Sequence, residues 1–263
     1  MFFPLFKTLD LEGFVELTYF PPNNWENPLK TNLKLYLLWT SDGVWKTREL
    51  SQIQYGQVIR FSTEDFPAET FQTGIALVYP TSKALSSTLE TLPVEAFWSS
   101  RIPEWRCTSG LYNSLAQTSY QSEIFPFPNK ASLLTFHPFI QKGDLKNYLV
   151  LLNVIKEPRV TESFLEIRDA SSLKLRDRVK VFSNSLNCIP LDVYKFSQED
   201  LPIFYIDSMA AIPFGLGVSK DRKMLSMEHT HPPASLVLFG QRNSIQGRIK
   251  QKWVSQFGAI NGS

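Results

Sequence analysis

The same seven-residue pattern appears twice in this chain, as FSTEDFP at 61–67 and as FSQEDLP at 196–202. Each copy contains a serine, an aspartate three residues later and a closing proline: Ser62, Asp65 and Pro67 in the first, Ser197, Asp200 and Pro202 in the second. This spacing predicts a capping box, in which the serine hydroxyl accepts a backbone N–H of a helical turn and the carboxylate accepts the N–H of the serine. The proline ends that turn after a few residues.

Strand patterns in a similar order surround both copies. Before the first copy lie three segments rich in residues that favour strands, at 14–20, 32–43 and 56–61, and an apolar run follows at 73–80. The second copy has the same order, with segments at 147–154, 161–172 and 188–196 before it and an apolar run at 203–214 after it. In the segment 32–43, Leu33, Leu35, Leu37 and Trp39 alternate with polar or partly exposed positions, which predicts a strand with one buried face. The shared order indicates an internal duplication.

The fold class follows from length and composition. A chain of 263 residues is long for one compact core and suits two domains. Twenty Phe and seventeen Pro, spread through β-branched runs, favour many short strands. We therefore expect an all-β protein of two tandem related antiparallel β-sandwich or jelly-roll units, 1–130 and 131–263, joined by a stiff FPFPNK linker at 125–130. Duplicates that pack face to face are expected to do so about a pseudo-twofold axis.

Two segments have helical periodicity. In 243–257, Ile245, Ile249, Trp253 and Phe257 recur every four residues, which predicts a C-terminal amphipathic helix that ends at Gly258. Its apolar face can dock on its own sheet or on a partner, and its basic face can lie on an anionic membrane surface. In the insertion 81–93, three leucines also fall on one helical face: Leu85, Leu89 and Leu92.

Charge and cysteine content limit the partners and the compartment. A formal net charge of +2, with the basic residues scattered, provides no surface for a nucleic-acid backbone. The N-terminal segment MFFPLFKTLD has no basic residues before its apolar ones, so we expect no secretory signal, and no apolar run is long enough to predict a transmembrane segment. Cys107 and Cys188 are the two cysteines, which we interpret as small buried apolar residues of a cytoplasmic protein.

The stretch SMEHTHPP at 226–233 holds two of the three histidines. In an extended strand His229 and His231 project from the same face, whereas Glu228 projects from the other. Imidazoles in this arrangement can bind one divalent transition metal. They can equally hydrogen-bond to the backbone, or face a cleft between the units and bind a ligand without a metal.

The His-x-His pair resembles the metal motif of the cupins, which are β-barrels and are sometimes duplicated. The resemblance implies a metal-dependent enzyme with His229 and His231 as ligands. The cupin pattern continues with a glutamate and a further histidine, whereas here Pro232 and Pro233 follow the pair and no later histidine exists. A third ligand would then come from His137, from Glu228 after a local bend, or from an acidic residue of the other unit.

Tryptophans offer a different kind of site. Five of the six lie in the first unit, and Trp45, next to a turn, and Trp105 are candidates for surface stacking on sugar rings. No Gly-x-Ser-x-Gly motif and no glycine-rich phosphate loop occurs.

The sequence thus favours a non-catalytic binding or assembly protein without a cofactor, which binds a protein or carbohydrate ligand in the cleft between the units near Glu228, His229 and His231. A metal-dependent enzyme and a carbohydrate-binding module that uses exposed tryptophan are the alternatives.

Overall fold

The computed structural model describes residues 1–20, 32–93, 105–128, 131–136, 144–169, 172–196, 202–229, 251–252 and 254–257. In the first half these residues form nine strands: β1 (Phe3–Phe6), β2 (Glu12–Tyr19), β3 (Leu33–Ser41), β4 (Val44–Ile53), β5 (Val58–Ser62), β6 (Ile75–Thr81), β7 (Thr88–Leu89), β8 (Trp105–Tyr112) and β9 (Gln117–Gln121). In the second half they form eight: β10 (Leu133–Phe136), β11 (Leu145–Asn153), β12 (Glu162–Asp169), β13 (Leu175–Phe182), β14 (Ser185–Pro190), β15 (Pro202–Ile206), β16 (Ile212–Ser219) and β17 (Leu225–Glu228). The all-β prediction is confirmed.

Each half contributes two antiparallel sheets. Sheet I has the order β5-β2-β8-β9 and sheet II the order β1-β6-β3-β4-β7, both in the first half. Sheet III has the order β14-β11-β16-β17 and sheet IV the order β10-β15-β12-β13, both in the second half. Sheets I and III therefore share one strand order, and sheets II and IV share another apart from the extra β7. A duplicated unit would produce this correspondence, and duplication itself stays a prediction.

The four sheets stack in the order I, II, III, IV, with an apolar core in each of the three spaces. Sheets I and II enclose a core that includes Val15, Leu35 and Val78. Sheets III and IV enclose a core that includes Leu151 and Phe204. Sheets II and III meet across a third core, which joins the two halves: Phe2, Phe6, Tyr36, Leu38, Trp45, Leu77, Val150, Leu152, Phe214 and Leu216 are among its residues. We call this third core the joint.

Strands next to the joint are buried on both faces. In β3, Leu35 and Leu37 face sheet I, whereas Tyr36 and Leu38 enter the joint. Residues 148–152 of β11 likewise alternate between two cores. The prediction of a single buried face for β3 is therefore wrong, because the positions taken as partly exposed are covered by the other half, and Trp39 is only partly buried.

The joint brings together non-equivalent faces of the two halves. Sheet II of the first half packs on sheet III of the second, although by strand order sheet II corresponds to sheet IV. The rings of Phe6 and Phe214 meet there at a centroid distance of 5.6 Å. A twofold axis requires the same face from both partners. The expected pseudo-twofold packing is wrong, and the halves stack head to tail.

The first predicted capping box is present. Residues Thr63–Asp65 form a 3-10 turn, the Ser62 hydroxyl accepts the N–H of Glu64, and the Asp65 carboxylate accepts the N–H of Ser62 at 2.7 Å. Residues 197–200 of the second copy lie outside the described residues. The leucines predicted on a helical face do not form a helix: Leu89 lies in β7, and Leu85 and Leu92 pack against the joint from segments outside the helices and strands.

The C-terminal helix docks on its own half. Residues 251–252 and 254–257 are helical, and the buried ring of Phe257 lies 5.5 Å from the ring of Tyr205 in sheet IV. The guanidinium carbon of Arg168 lies 4.7 Å from the Phe257 centroid, while its nitrogens donate to Glu166 and to the carbonyl of Leu173. The rest of the predicted helix, 243–250, lies outside the described residues. No helix among the described residues is long and apolar enough to span a membrane.

Replacing Phe257 tests the docking of this helix. Phe257→Ala should lower the free energy of unfolding by about 3 kcal/mol, because a buried aromatic ring is lost. Lys252→Ala, at an exposed position of the same helix, should change it by less than about 0.5 kcal/mol. Urea denaturation of both variants measures the difference, and equal stabilities would show that the ring does not hold the helix.

Gly74 tests the fit between the halves. It has a φ of +77°, and a Cβ there would lie 3.0 Å from the Cβ of Leu186 in the other half. Gly43 has a φ of +75° with no atom within 4 Å of an added Cβ. Both alanine variants carry the cost of a left-handed conformation, whereas only Gly74→Ala also overpacks the contact between the halves. Gly43→Ala should cost about 1 kcal/mol and Gly74→Ala about 2–3 kcal/mol in urea denaturation. Equal costs would contradict a tight contact.

Candidate functional site

In the predicted histidine stretch, His229 contacts the first half of the chain. Glu228 ends β17 with an exposed side chain, and His229 follows it, partly buried. The His229 ring stacks on Tyr120 of the first half, with centroids 6.1 Å apart and planes at 17°. His231 and His137 lie outside the described residues, so the predicted metal ligands stay a prediction. Within the described part of the chain, no three His, Cys, Asp or Glu side chains are grouped to hold a metal ion.

Of the two tryptophans proposed for surface stacking, the structure describes the side chain of Trp45 alone. Trp45 is only 2% exposed, and its indole Nε1–H donates to the carbonyl of Lys156 in the second half at 2.8 Å. The predicted surface position of Trp45 is wrong, because the face of β4 that carries it enters the joint. Trp105 begins β8, and its side chain lies outside what the structure describes.

A small polar cluster lies inside the first half near Tyr120. The hydroxyl of Ser122 donates to Ser109, which donates to the carbonyl of Pro4, and the Cys107 sulfur lies 3.8 Å from both hydroxyls. Burial raises the pKa of the Cys107 thiol to about 12 and that of the Cys188 thiol to about 11. Burial also raises the pKa of Tyr120. Both thiols are therefore protonated and poor nucleophiles near neutral pH.

A groove of about 600 Å³ lies between the two halves and is the best candidate for a binding site. The first half lines it with the turn between β1 and β2 and with the segment that leads into β6, whereas the second half supplies the hairpin between β13 and β14. Its lining consists of Lys7, Thr8, Asp10, Leu11, Glu12, Phe71, Gln72, Thr73, Gly74, Phe182, Ser185, Leu186 and Asn187. We call this feature the junction groove.

Backbone hydrogen bonds fix the walls of the junction groove. The N–H of Leu186 donates to the carbonyl of Thr73 at 2.9 Å, directly between the halves. Gly74 lies beside Leu186, and its carbonyl accepts the N–H of Lys7 at 3.1 Å. The bond between Leu186 and Thr73 joins main-chain atoms of the two halves, so it adds a fixed point to the side-chain packing of the joint.

The turn at one end of the groove is strained. Leu9 and Asp10 both have a φ of 54°, a region that non-glycine residues rarely occupy. The guanidinium of Arg222, from the turn between β16 and β17, donates to the Leu9 carbonyl at 2.9 Å and lies 3.6 Å from the Asp10 carboxylate. The Arg222 carbonyl in turn accepts from the Asn113 side chain. The second half thus holds the strained turn of the first.

The opposite wall is a hairpin held by its own side chains. Asn187 accepts the N–H of Phe182 at 2.8 Å and donates to the Phe182 carbonyl at 2.9 Å. At the tip, Asn184 has a φ of 49° and bonds to Ile155 and to the carbonyls of Glu157 and Arg159. This network fixes the backbone of Phe182, whose side chain is 40% exposed.

The side chains along the groove form a rim of mixed polarity over an apolar floor. The Asp10 and Gln72 side chains are exposed, and those of Glu12 and Lys7 are partly buried. The Lys7 ammonium lies 5.7 Å from the Phe71 centroid, and Glu12 accepts the hydroxyl of Thr63. The rim therefore carries two carboxylates, one ammonium and an amide. It offers both donors and acceptors to a ligand.

A second, smaller pocket of about 300 Å³ lies within the second half. It is lined by Pro128, Asn153, Ile155, Arg159, Thr161, Ser183, Ser208, Met209 and Ala210. Most of its polar groups already bond to each other: the Ser183 hydroxyl accepts from Thr161 and donates to the Arg159 carbonyl, and Asn153 donates to the Ala210 carbonyl. These bonds leave few groups for a ligand.

Comparison with protein-family models, with curated proteins and with solved structures finds no match to this chain. The junction groove is therefore described from its own residues alone. None of those residues was a candidate from the sequence. Two turns border the groove, one with Leu9 and Asp10 and the other with Asn184. Neither contains the Asn-Gly or Asp-Gly pair that identifies a tight hairpin in a sequence.

The buried thiols predict an alkaline loss of stability. Unfolded cysteine ionises near pH 8.5, well below the folded pKa values of about 12 for Cys107 and about 11 for Cys188. Stability is therefore fully present below about pH 8.5 and falls as the pH rises through 9 and 10, because the unfolded state releases its thiol protons first. Urea midpoints from pH 7 to pH 10 should decrease, and Cys107→Ala should flatten that decrease.

Thiol labelling provides a second readout. At pH 8 a disulfide reagent should label Cys107 of the native protein far more slowly than it labels the urea-unfolded protein. Stoichiometric labelling of the native chain within seconds, or an unchanged pH slope in Cys107→Ala, would contradict the burial of this thiol.

Proposed function

We propose that this chain is a non-catalytic binding or assembly protein whose ligand occupies the junction groove. The observation that carries the proposal is that both halves build the groove, so it exists only when they are packed together. Its volume of about 600 Å³ lies in the range of small-ligand sites, roughly 300–1,000 Å³. The sequence analysis also expects a ligand between the units, but near Glu228, His229 and His231, whereas other residues line the junction groove.

The state of the cysteines supports the non-catalytic character. Both thiols have pKa values far above neutral, because Cys107 is buried and Cys188 is partly buried. The carboxylates of the repeated motif that the structure describes serve structural roles: Asp65 caps its turn, and Glu64 accepts the hydroxyl of Tyr112 at 2.5 Å. These groups are already used by the fold.

A ligand panel with a groove-filling variant tests the proposal. The panel contains amino acids, organic acids, nucleotides and neutral oligosaccharides, each at millimolar concentration. At least one class should raise the melting temperature of the wild type by a few degrees, because a ligand at ten times its Kd adds about 1.4 kcal/mol to stability. Gln72→Trp places a large ring at an exposed position of the groove and should abolish the shift.

Gln52→Trp is the matched control. Gln52 is also exposed, and it lies in β4 outside the groove lining, so the same ring there should leave the shift unchanged. No shift with any class, or an equal shift in Gln72→Trp, would contradict the proposal. One transition metal per chain by elemental analysis, lost in His229→Ala, would instead favour the metal-dependent enzyme.

A further inference from the structure

We infer, on the basis of the proposed function, that the junction groove recognises a short neutral oligosaccharide that stacks on the ring of Phe182. This residue ends β13 at the groove, and its side chain is 40% exposed. The bidentate contact with Asn187 fixes its backbone. An aromatic ring held in this way offers a flat apolar surface at a low entropic cost, which the C–H face of a pyranose ring can cover.

The rim favours a hydroxylated ligand over an ionic one. A sugar hydroxyl both donates and accepts, so it can donate to the carboxylates of Asp10 and Glu12 and accept from the Lys7 ammonium. Hydrogen bonds to ionised groups are stronger than those between neutral groups. The two carboxylates are balanced by the Lys7 ammonium and by the Arg222 guanidinium, which lies 3.6 Å from the Asp10 carboxylate. These formal charges cancel, so the rim attracts neither an anion nor a cation by net charge and favours a neutral ligand.

The shape of the groove agrees with a chain of sugars. About 600 Å³ exceeds the space that one sugar ring needs, and the groove is open to solvent. The aromatic ring comes from the second half, while the carboxylates and the ammonium come from the first. One ligand therefore contacts both halves, with its apolar face toward Phe182 and its hydroxyls toward Lys7, Asp10 and Glu12. This assignment replaces the tryptophan-based carbohydrate site, because Trp45 is buried in the joint.

Two phenylalanines provide a matched pair for the experiment. Phe164 and Phe182 lie on neighbouring strands of sheet IV and are 44% and 40% exposed, but only Phe182 lines the junction groove. The probes are neutral trisaccharides with α- and β-linked glucose, mannose and N-acetylglucosamine, titrated calorimetrically. At least one should bind to the wild type. Phe182→Ala should weaken its affinity at least about tenfold, which equals about 1.4 kcal/mol, and Phe164→Ala less than about twofold.

Asp10→Asn provides a second variant that keeps the turn. Asparagine accepts the left-handed conformation of Asp10 readily and is nearly isosteric, so the fold should be retained while the charge is lost. We expect several-fold weaker binding of the same trisaccharide and a melting temperature within about two degrees of the wild type, because the exposed ion pair between Asp10 and Arg222 contributes little to stability.

The outcomes separate the inference from the proposed function. Binding of amino acids, organic acids or nucleotides in the groove without any binding of trisaccharides would overturn the inference and leave the proposed function standing. Equal effects of Phe182→Ala and Phe164→Ala would also overturn it. If no panel compound of any class binds, both fall.

Discussion

The apolar contact between sheets II and III is the constraint on which the rest of the molecule depends. Without it, the first half would expose Phe6, Tyr36, Leu38 and Leu77 on one face, and the second would expose a comparable face around Phe214. Apolar patches of this extent are rare on the surface of monomeric proteins. The halves are therefore stable as a pair, and the backbone contact between Leu186 and Thr73 follows from their packing.

Head-to-tail stacking of two halves with corresponding strand orders raises the question of why the stack ends. A contact between non-equivalent faces can repeat without closing and so build a fibre. Charged side chains lie on the outermost faces of this chain, however, beside the exposed rings of Phe164 and Phe182 on sheet IV. On sheet IV, Glu166 pairs with Arg178 and Glu162 pairs with Lys180. On sheet I, Arg60 covers the ring of Phe14 at 3.9 Å. Polar outer faces end such stacks, as capping repeats do in solenoid proteins, and the C-terminal helix covers more of sheet IV through Phe257.

The sequence predicts the local structure better than the contacts between distant parts of the chain. The strand around Leu35, the capping box at Ser62 and a helical segment at Phe257 depend on neighbours within a few residues, and the structure contains them. The single buried face predicted for that strand is nevertheless wrong, and residues 243–250 of the helix lie outside the described residues. Burial of Tyr36 and Trp45 depends on a sheet more than 100 residues away, which periodicity cannot indicate. The leucines of 81–93 show the opposite error, since their helical spacing comes from a segment that forms no helix and packs on the joint.

The candidate site could not be predicted for a related reason. Its residues come from turns, which carry no periodic signal, and they meet only because the two halves pack in one particular way. The same origin couples the site to the fold. A ligand that contacts Phe182 from one half and Asp10 from the other binds only when the halves are packed, so its binding free energy adds to the stability of the joint. Arg222 also couples the site to the packing of the halves, because it holds the strained turn of Leu9 and Asp10 from the opposite half. Any change that loosens the joint should therefore widen the groove before it unfolds either half.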